Sequence, residues 1–203
     1  DQIYLFNDHD KDDGSSRTGG RAHAQTLDES IWLIPLGYAY DLLAGSDVLD
    51  AADRERIERD LLRAAVATIR RYDAGISNWQ AWHNAGIGAV AFALADEELI
   101  KAVIDGPSGF RFHIDRSVTP DGFWYEGSFT YHYYALDSLI QLAEMASRSG
   151  HDLWAEMKFR KMFESPLLFA FADGTLAPFN DATTVNFRNY SRMYESAFAH
   201  WGD

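Results

Sequence analysis

The chain has 203 residues, of which 47% are hydrophobic, so it is long and apolar enough to fold and is not a disordered chain. The formal net charge of −13 argues against a nucleic-acid partner, because phosphate binding requires clustered Lys and Arg. There is no cysteine, which excludes disulfides and cysteine–zinc sites, and no apolar stretch is long enough to span a membrane.

The N-terminal region, 1–24, is polar and Gly-rich and is predicted to be a loop. Its aspartates suggest a calcium loop over residues 8–19, but the sixth and twelfth positions hold Asp13 and Gly19 instead of Gly and Glu. An acidic, solvated loop is the preferred interpretation. The chain lacks a starting Met and a signal-peptide pattern, which is typical of a mature or trimmed chain.

Apolar residues recur at helical spacing along most of the remaining chain, with almost no strand signal. This pattern predicts an all-α fold of antiparallel helix hairpins, forming a single domain over 1–203. A short strand is allowed within 173–185. The predicted helices cover 26–44, 51–72, 80–95, 96–105, a segment between Pro107 and Pro120, 129–148, 152–164 and 187–200.

Two of these helices have distinctive compositions. The helix at 26–44 carries apolar residues around a broad arc, which predicts deep burial, and Gly45 is expected to end it. The helix at 80–95 is rich in Ala and Gly, and such small residues favour an inner helix that its neighbours approach closely.

Two segments combine polar and aromatic residues at loop-to-helix junctions, where side chains and free backbone N–H groups are displayed. They read N-W-Q-x-W-H-N at 78–84 and D-G-F-x-x-E-G-S-x-x-Y-H-x-Y at 121–134. Two shorter signatures accompany them, G-R with Q-T-L-D-E within 20–29, and P-F-N-D at 178–181. In this order, the four motifs resemble the heparinase II/III and alginate lyase group of polysaccharide lyases.

The resemblance implies an incomplete (α/α) toroid, followed in family members by a β-sandwich domain that this chain is expected to lack. It implies a bacterial periplasmic or secreted enzyme without a cofactor. The substrate is expected to be an acidic polysaccharide or oligosaccharide, with a β-sandwich domain of the parent chain as partner and no nucleic acid or membrane. The reaction is β-elimination at a uronic acid.

The same resemblance implies that Asn78, His83 and Tyr131 are catalytic. The Asn78 amide is suited to hydrogen-bond the substrate carboxylate. A plain helix-capping role is the preferred interpretation of this Asn taken alone, and the motif shifts the preference to function. Tyr131 matches the family's catalytic Tyr, and the nearby helix N-terminus is expected to favour its phenolate. Whether His83 or Tyr131 is the base stays open, and Tyr134 is the alternative to Tyr131.

Substrate contacts are expected from further residues of the motifs, although for each Trp taken singly core packing is the preferred interpretation. These residues are Arg21, Gln25, Trp79, Trp82, Asn84, Trp124, Glu126, His132 and Tyr134. An acidic substrate also requires a cationic cleft within this acidic chain. Its candidates are Arg17, Arg21, Arg111, Arg116 and Arg188. No metal-ligand pattern is present, so no metal is expected.

Two other functions remain open. A glycoside hydrolase on an (α/α) barrel requires a carboxylate pair, for which Asp121, Glu126 and Asp181 are candidates. A non-catalytic glycan-binding helical module requires only the aromatic residues. The scarcity of cationic clusters favours a non-sulfated uronate, but the sequence does not name the polymer.

Overall fold

The computed structural model describes residues 19–202, which are mainly α-helical with a single two-stranded β-hairpin. This confirms the all-α prediction. None of the helices in this part of the chain has the length and apolar character that a membrane crossing requires. The acidic segment before residue 19, including Arg17, lies outside the described residues. The chain divides into two compact units at Gly109 and Phe110, and the predicted single domain stays a prediction.

The first unit follows the predicted helix order closely. A π-helical segment interrupts the long amphipathic helix and was not predicted. Asp50 caps α2, accepting a hydrogen bond from the Asp53 backbone N–H at 2.8 Å. The elements are α1 (Thr26–Ala44), α2 (Ala51–Ile57), the π-helix (Glu58–Leu62), α3 (Arg63–Ile69), α4 (Asn78–Ala93) and α5 (Glu97–Asp105).

Helix α4 is the central element of this unit, as its small residues predict. Nearly all of its residues are buried, and it packs against α1, α3 and α5. Close approach to α1 depends on glycine. A Cβ at Gly37 would lie 2.8 Å from Ala89, and a Cβ at Gly86 would lie 2.7 Å from the carbonyl oxygen of Ser30.

The predicted deep burial of α1 is wrong. Its buried residues form one face that includes Thr26, Glu29 and Ser30, whereas Leu42 is 80% exposed. The buried face of α1 is the one that packs against the Gly- and Ala-rich surface of α4. Small and polar residues of α1 are therefore buried there, while several of its apolar residues stay exposed.

We expect Gly86→Ala to destabilise the protein by about 1–3 kcal/mol, because the new methyl group collides with the α1 backbone. This loss outweighs the gain of about 1 kcal/mol in helix propensity. Gly45→Ala is the matched control, since a Cβ there meets nothing within 4 Å. Chemical denaturation of the two variants measures the difference, and equal stabilities would contradict the close packing.

The second unit contains the remaining helices and the hairpin. Strand β1 pairs antiparallel with β2, with Thr175 opposite Asn186 and Leu176 opposite Val185. The predicted strand within 173–185 is therefore present, as half of this hairpin. The elements are α6 (Phe110–Arg116), α7 (Phe129–Arg148), α8 (Met157–Leu168), β1 (Thr175–Leu176), β2 (Val185–Asn186), a 3-10 turn (Phe187–Tyr190) and α9 (Ser191–Trp201).

Helix α8 corrects both boundaries of the predicted helix 152–164, because it begins at Met157 and ends at Leu168. Pro166 therefore lies within its last turn. Proline lacks an N–H and cannot bond to the carbonyl four residues earlier. That carbonyl belongs to Met162, and it lies 2.8 Å from Nε2 of His132 on α7. The imidazole therefore satisfies the carbonyl that the proline leaves open.

Helix α7 is held by buried side chains as well as by this bond. Tyr133 is fully buried, stacks on Tyr190 with ring centroids 3.8 Å apart, and shares a 2.8 Å hydrogen bond with the hydroxyl of Tyr194. Phe129, at the start of α7, is buried too. Part of the aromatic run 129–133 therefore packs in the core.

Candidate functional site

Asn78 is the first residue of α4, and its side chain is 4% exposed. The helix cap is Ser77, whose Oγ accepts a hydrogen bond from the Trp79 backbone N–H at 3.1 Å. The alternative in which Asn78 caps the helix is therefore wrong.

His83 lies one turn further along α4 and is completely buried. Its Nε2 is 3.1 Å from Oγ1 of Thr26, whereas Nδ1 is buried without a hydrogen-bond partner. Burial lowers the pKa of His83 to about 4, opposed by the negative charge of Asp73. The imidazole is therefore neutral at neutral pH and keeps one ring nitrogen available for another group.

A cavity of about 220 Å³ adjoins His83 within the first unit. Residues of α3, α4 and α5 form its walls, together with the loops beside them. Its polar lining consists of Arg70, Tyr72, Asp73, Gln80, His83, Asn84 and Ser108. The cavity thus brings His83 and Asn84 together with polar groups that can receive part of a hydrophilic ligand.

The other predicted contacts of the first unit differ in exposure. Trp82 is 6% exposed, so in this structure it belongs to the core, whereas Trp79 is half-buried and lies edge-on to the His83 ring. Gln25 is exposed and Arg21 is half-buried in the loop before α1.

Glu29 organises that loop, a role the sequence interpretation missed. Its Oε2 accepts hydrogen bonds from the backbone N–H groups of Arg21, Ala22 and His23 at 2.6, 3.2 and 3.4 Å. Its Oε1 is buried without a hydrogen-bond partner. Burial raises the pKa of Glu29 to about 7, although the three backbone hydrogen bonds act in the opposite direction.

We expect Glu29→Gln to become stabilising relative to wild type as the pH rises from 5 to 8. Between the ordinary pKa of 4.5 and the folded value of about 7, the folded protein retains a proton that the unfolded chain has lost. Wild-type stability therefore falls through this range, by about 3 kcal/mol at most. Thermal unfolding at several pH values measures the difference, with the exposed Asp28→Asn as control. A pH-independent difference would contradict the buried, titrating carboxyl.

In the second unit, the motif loop before α7 is fixed by His132. The ring is 1% exposed, and its Nδ1 accepts a hydrogen bond from the Trp124 backbone N–H at 3.1 Å while Nε2 donates to the Met162 carbonyl. Both nitrogens are thus engaged within the unit. Burial lowers the pKa of His132 to about 4, which keeps this neutral tautomer in place.

Trp124 is also buried, at 1% exposure, and its indole N–H donates to a carboxylate oxygen of Glu126. In this structure, neither His132 nor Trp124 presents its ring to solvent. Glu126 and Tyr134 are half-buried. The loop is therefore a rigid support beside the start of α7.

Tyr131 lies in the first turn of α7, where Ser128 caps the helix by accepting a hydrogen bond from the Tyr131 backbone N–H at 3.1 Å. The phenol is half-buried, and its hydroxyl donates to Oδ2 of Asp181 at 3.4 Å. The negative charge of Asp181 raises the pKa of Tyr131, with a smaller contribution from Glu126. The helix N-terminus was expected to favour the phenolate, but the charge of Asp181 acts in the opposite direction, so the phenol is suited to donate a proton.

An apolar cavity of about 290 Å³ lies beside this loop, within the second unit. Aromatic rings form most of its wall, and Phe169 and Phe179 are each 55% exposed. The lining comprises Asp121, Phe123, Trp124, Gly127, Ser128, Phe129, Phe169 and Phe179. Asn180 of the 178–181 motif contacts this loop, because its side-chain Nδ2 donates a hydrogen bond to the Gly127 carbonyl at 2.8 Å.

Three of the predicted cationic residues are engaged by neighbours within the second unit. Arg111 pairs with Glu156 at 3.1 Å, Arg116 pairs with Asp115 at 2.9 Å, and Arg188 donates to the Asp173 carbonyl. All three residues are exposed. Within residues 19–202, no cluster of three or more His, Asp or Glu side chains is arranged to hold a metal ion.

Comparison with known proteins adds a family match. The family model described as alginate lyase matches residues 36–171. An alginate lyase of Stenotrophomonas maltophilia (strain K279a) is 32% identical over 146 residues, which cover 68% of this chain and 19% of that protein. An exo-oligoalginate lyase of Saccharophagus degradans (strain 2-40) is 28% identical over 154 residues, covering 71% and 20%. The chain thus spans about a fifth of the length of these curated relatives.

Proposed function

The chain belongs to the alginate lyase family, and we propose on this premise that the complete protein cleaves alginate, a polymer of uronic acids, by β-elimination. One observation carries the proposal. The matched region, 36–171, contains both motif segments, 78–84 and 121–134. The substrate is an acidic, non-sulfated polysaccharide, in agreement with a chain that has few clustered cations. Action on such a polymer agrees with a periplasmic or secreted enzyme.

The reaction removes the proton on the carbon beside the substrate carboxylate. That electron pair forms a carbon–carbon double bond, and the glycosidic C–O bond at the neighbouring carbon breaks. The departing oxygen takes a proton. Rate acceleration therefore requires a donor to the carboxylate, a base and an acid.

We assign the acid role to Tyr131, because the charge of Asp181 raises the pKa of the phenol and so favours its protonated form. Asn78 is the carboxylate donor, since its amide carries N–H groups and it lies in the motif segment 78–84 within the family match. His83 is the base, because it is neutral and its Nδ1 has no hydrogen-bond partner. The roles of Asn78 and His83 rest on contacts within the first unit, and the role of Tyr131 rests on contacts within the second unit.

The proposal is tested by treating a panel of uronate polymers with the complete protein. The panel contains alginate, hyaluronan, heparan sulfate and polygalacturonate, and the readout is ultraviolet absorbance of the unsaturated sugar. We expect absorbance to rise with alginate. New reducing ends without absorbance would indicate a hydrolase, and binding without cleavage would indicate a glycan-binding module; either result overturns the proposal.

Asp181→Asn tests the acid assignment by changing the pH dependence. Removing the negative charge is expected to lower the pKa of Tyr131, because Asp181 makes the largest contribution to raising it. The alkaline limb of the kcat profile should then move to lower pH, since the acid must be protonated. Glu164→Gln, an exposed change on α8, is the control. An unchanged alkaline limb would argue that Tyr131 is not the titrating acid.

A further inference from the structure

A closed circuit of hydrogen bonds surrounds the start of α4. The Ala74 backbone N–H donates to Oε1 of Gln80 at 2.8 Å, and Nε2 of Gln80 donates to Oδ1 of Asn84 at 3.0 Å. Nδ2 of Asn84 donates to the Ser108 carbonyl at 2.7 Å, and Oγ of Ser108 donates to Oδ2 of Asp73 at 2.9 Å. Because Asp73 and Ala74 are adjacent in the chain, the circuit closes through the backbone.

The direction of every bond in this circuit is determined by its two ends. The Ser108 carbonyl only accepts, so Asn84 must present its NH₂ group to it and its oxygen to Gln80. The Ala74 N–H only donates, so Gln80 must present its oxygen there and its NH₂ group to Asn84. Both amides are buried, Gln80 at 7% and Asn84 at 4% exposure, so water does not readily replace a lost partner.

The circuit fixes the chain that leads into Asn78. The segment 73–77 is held at its beginning by Gln80 and by Asp73, whose Oδ1 accepts from the Gly75 backbone N–H at 2.7 Å. It is held at its end by the Ser77 cap. Asn78 follows at once, so its backbone position depends on both anchors.

The same residues also surround the cavity beside His83. Asp73, Gln80, Asn84 and Ser108 all line it, and the unpartnered Nδ1 belongs to the same helix, α4. Each of these four side chains thus already makes a hydrogen bond within the protein. Asn84 in particular has both ends of its amide engaged, which does not suit the direct substrate contact expected from sequence.

We propose that Gln80 and Asn84 are positioning residues that hold Asn78 in its reactive placement, acting through the circuit with Ser108 and Asp73. The proposal rests on the proposed function, because it requires that Asn78 act in the elimination. A displacement of about 1 Å at a reacting group can cost about 100-fold in rate. The circuit therefore affects kcat through Asn78 without touching the sugar.

The test uses Gln80→Glu and Asn84→Asp in the complete protein, with alginate as substrate. Gln80→Glu retains an acceptor for Ala74 but loses the donor to Asn84, and Asn84→Asp loses the donor to the Ser108 carbonyl. We expect each variant to lower kcat by about 10- to 100-fold with KM changed less than about threefold. The exposed Asn189→Asp is the control for the same chemical change and should retain wild-type kinetics.

A double-mutant cycle separates positioning from general damage. In an Asn78→Ala background, Gln80→Glu should lower kcat by less than about threefold more, because its effect passes through the missing amide. If the kcat losses of Asn78→Ala and Gln80→Glu multiplied in full, as for independent residues, the proposal would be overturned. So would a raised KM at unchanged kcat in Asn84→Asp, since that result indicates direct substrate contact.

If Gln80→Glu and Asn84→Asp fail to fold, Ser108→Ala provides a second test of the proposal. It removes only the bond to Asp73 and leaves the carbonyl that Asn84 uses. We expect kcat to fall about 3- to 10-fold and Ser108→Thr to restore most of it. Wild-type kcat in Ser108→Ala would overturn the proposal.

Failure of the proposed function has a different signature. If the wild-type protein cleaves no uronate polymer, or Asn78→Ala keeps its kcat, the role of Asn78 fails and the positioning proposal fails with it. If Asn78→Ala loses rate while the circuit variants do not, only the positioning proposal fails. Hydrogen exchange at the backbone amides of 73–77 should be faster in Asn84→Asp. This measurement reports on the circuit even if the protein shows no enzymatic activity.

Discussion

Tyr131→Phe is expected to lower kcat on alginate by about 10²- to 10⁴-fold in the complete protein, the usual contribution of a positioned acid. The phenol is half-buried and its hydroxyl has a 3.4 Å hydrogen bond to an exposed carboxylate, Asp181. Losing this weak surface bond should change the unfolding temperature very little. Absorbance of the unsaturated product and thermal unfolding measure the two effects on the same sample.

Tyr134→Phe is the matched control for this loss. Tyr134 is half-buried like Tyr131 and lies three residues further along α7, within the same motif. Because Tyr134 is expected only to contact substrate, its kcat should fall far less than that of Tyr131→Phe. If the two variants exchanged these results, Tyr134 would be the acid, and if both retained activity, the acid would lie outside this motif.

Asn78→Ala is expected to lower kcat by about 10²- to 10³-fold, the range found when one donor to a developing oxyanion is removed. The expected rise in KM is much smaller, because negative charge on the carboxylate group grows as the carbon loses its proton. Asn78→Asp should lose at least as much rate, since it places a second negative charge against the substrate.

Steady-state kinetics on alginate separate these effects, with the exposed Asn189→Ala as control. Stability should be followed at the same time, because Asn78 is 4% exposed and removal of a buried amide has a structural cost. Losses of equal size in substrate binding and in kcat would assign Asn78 a plain binding role.

The helices could be predicted because their patterns are local. Asp50, Gly45 and the apolar spacing of 57–69 specify their ends and their buried face without reference to the rest of the chain. The end of α8 could not be predicted, because Pro166 is compatible with a helix only where another group satisfies the Met162 carbonyl. That group is His132, which lies 30 residues earlier in the sequence.

In the candidate site, too, local features could be predicted from sequence and features that depend on distant residues could not. The motifs identify Asn78, His83 and Tyr131, and the alginate lyase family match includes all three positions. The direction of the Tyr131 pKa was predicted wrongly, because the helix N-terminus is a local feature whereas Asp181 lies 50 residues away. Glu29 was missed as well, since a Glu in the first turn of a helix is ordinary in sequence and only its burial makes it unusual.

The sequence by itself determined the helical class, the order of the helices and the family, because periodicity, caps and motifs are properties of neighbouring residues. The tertiary structure decided which polar groups lose water and which charges face one another. Those two factors set the protonation of Glu29, His83 and Tyr131. Protonation depends on distances between residues far apart in the chain, and no local pattern records those distances.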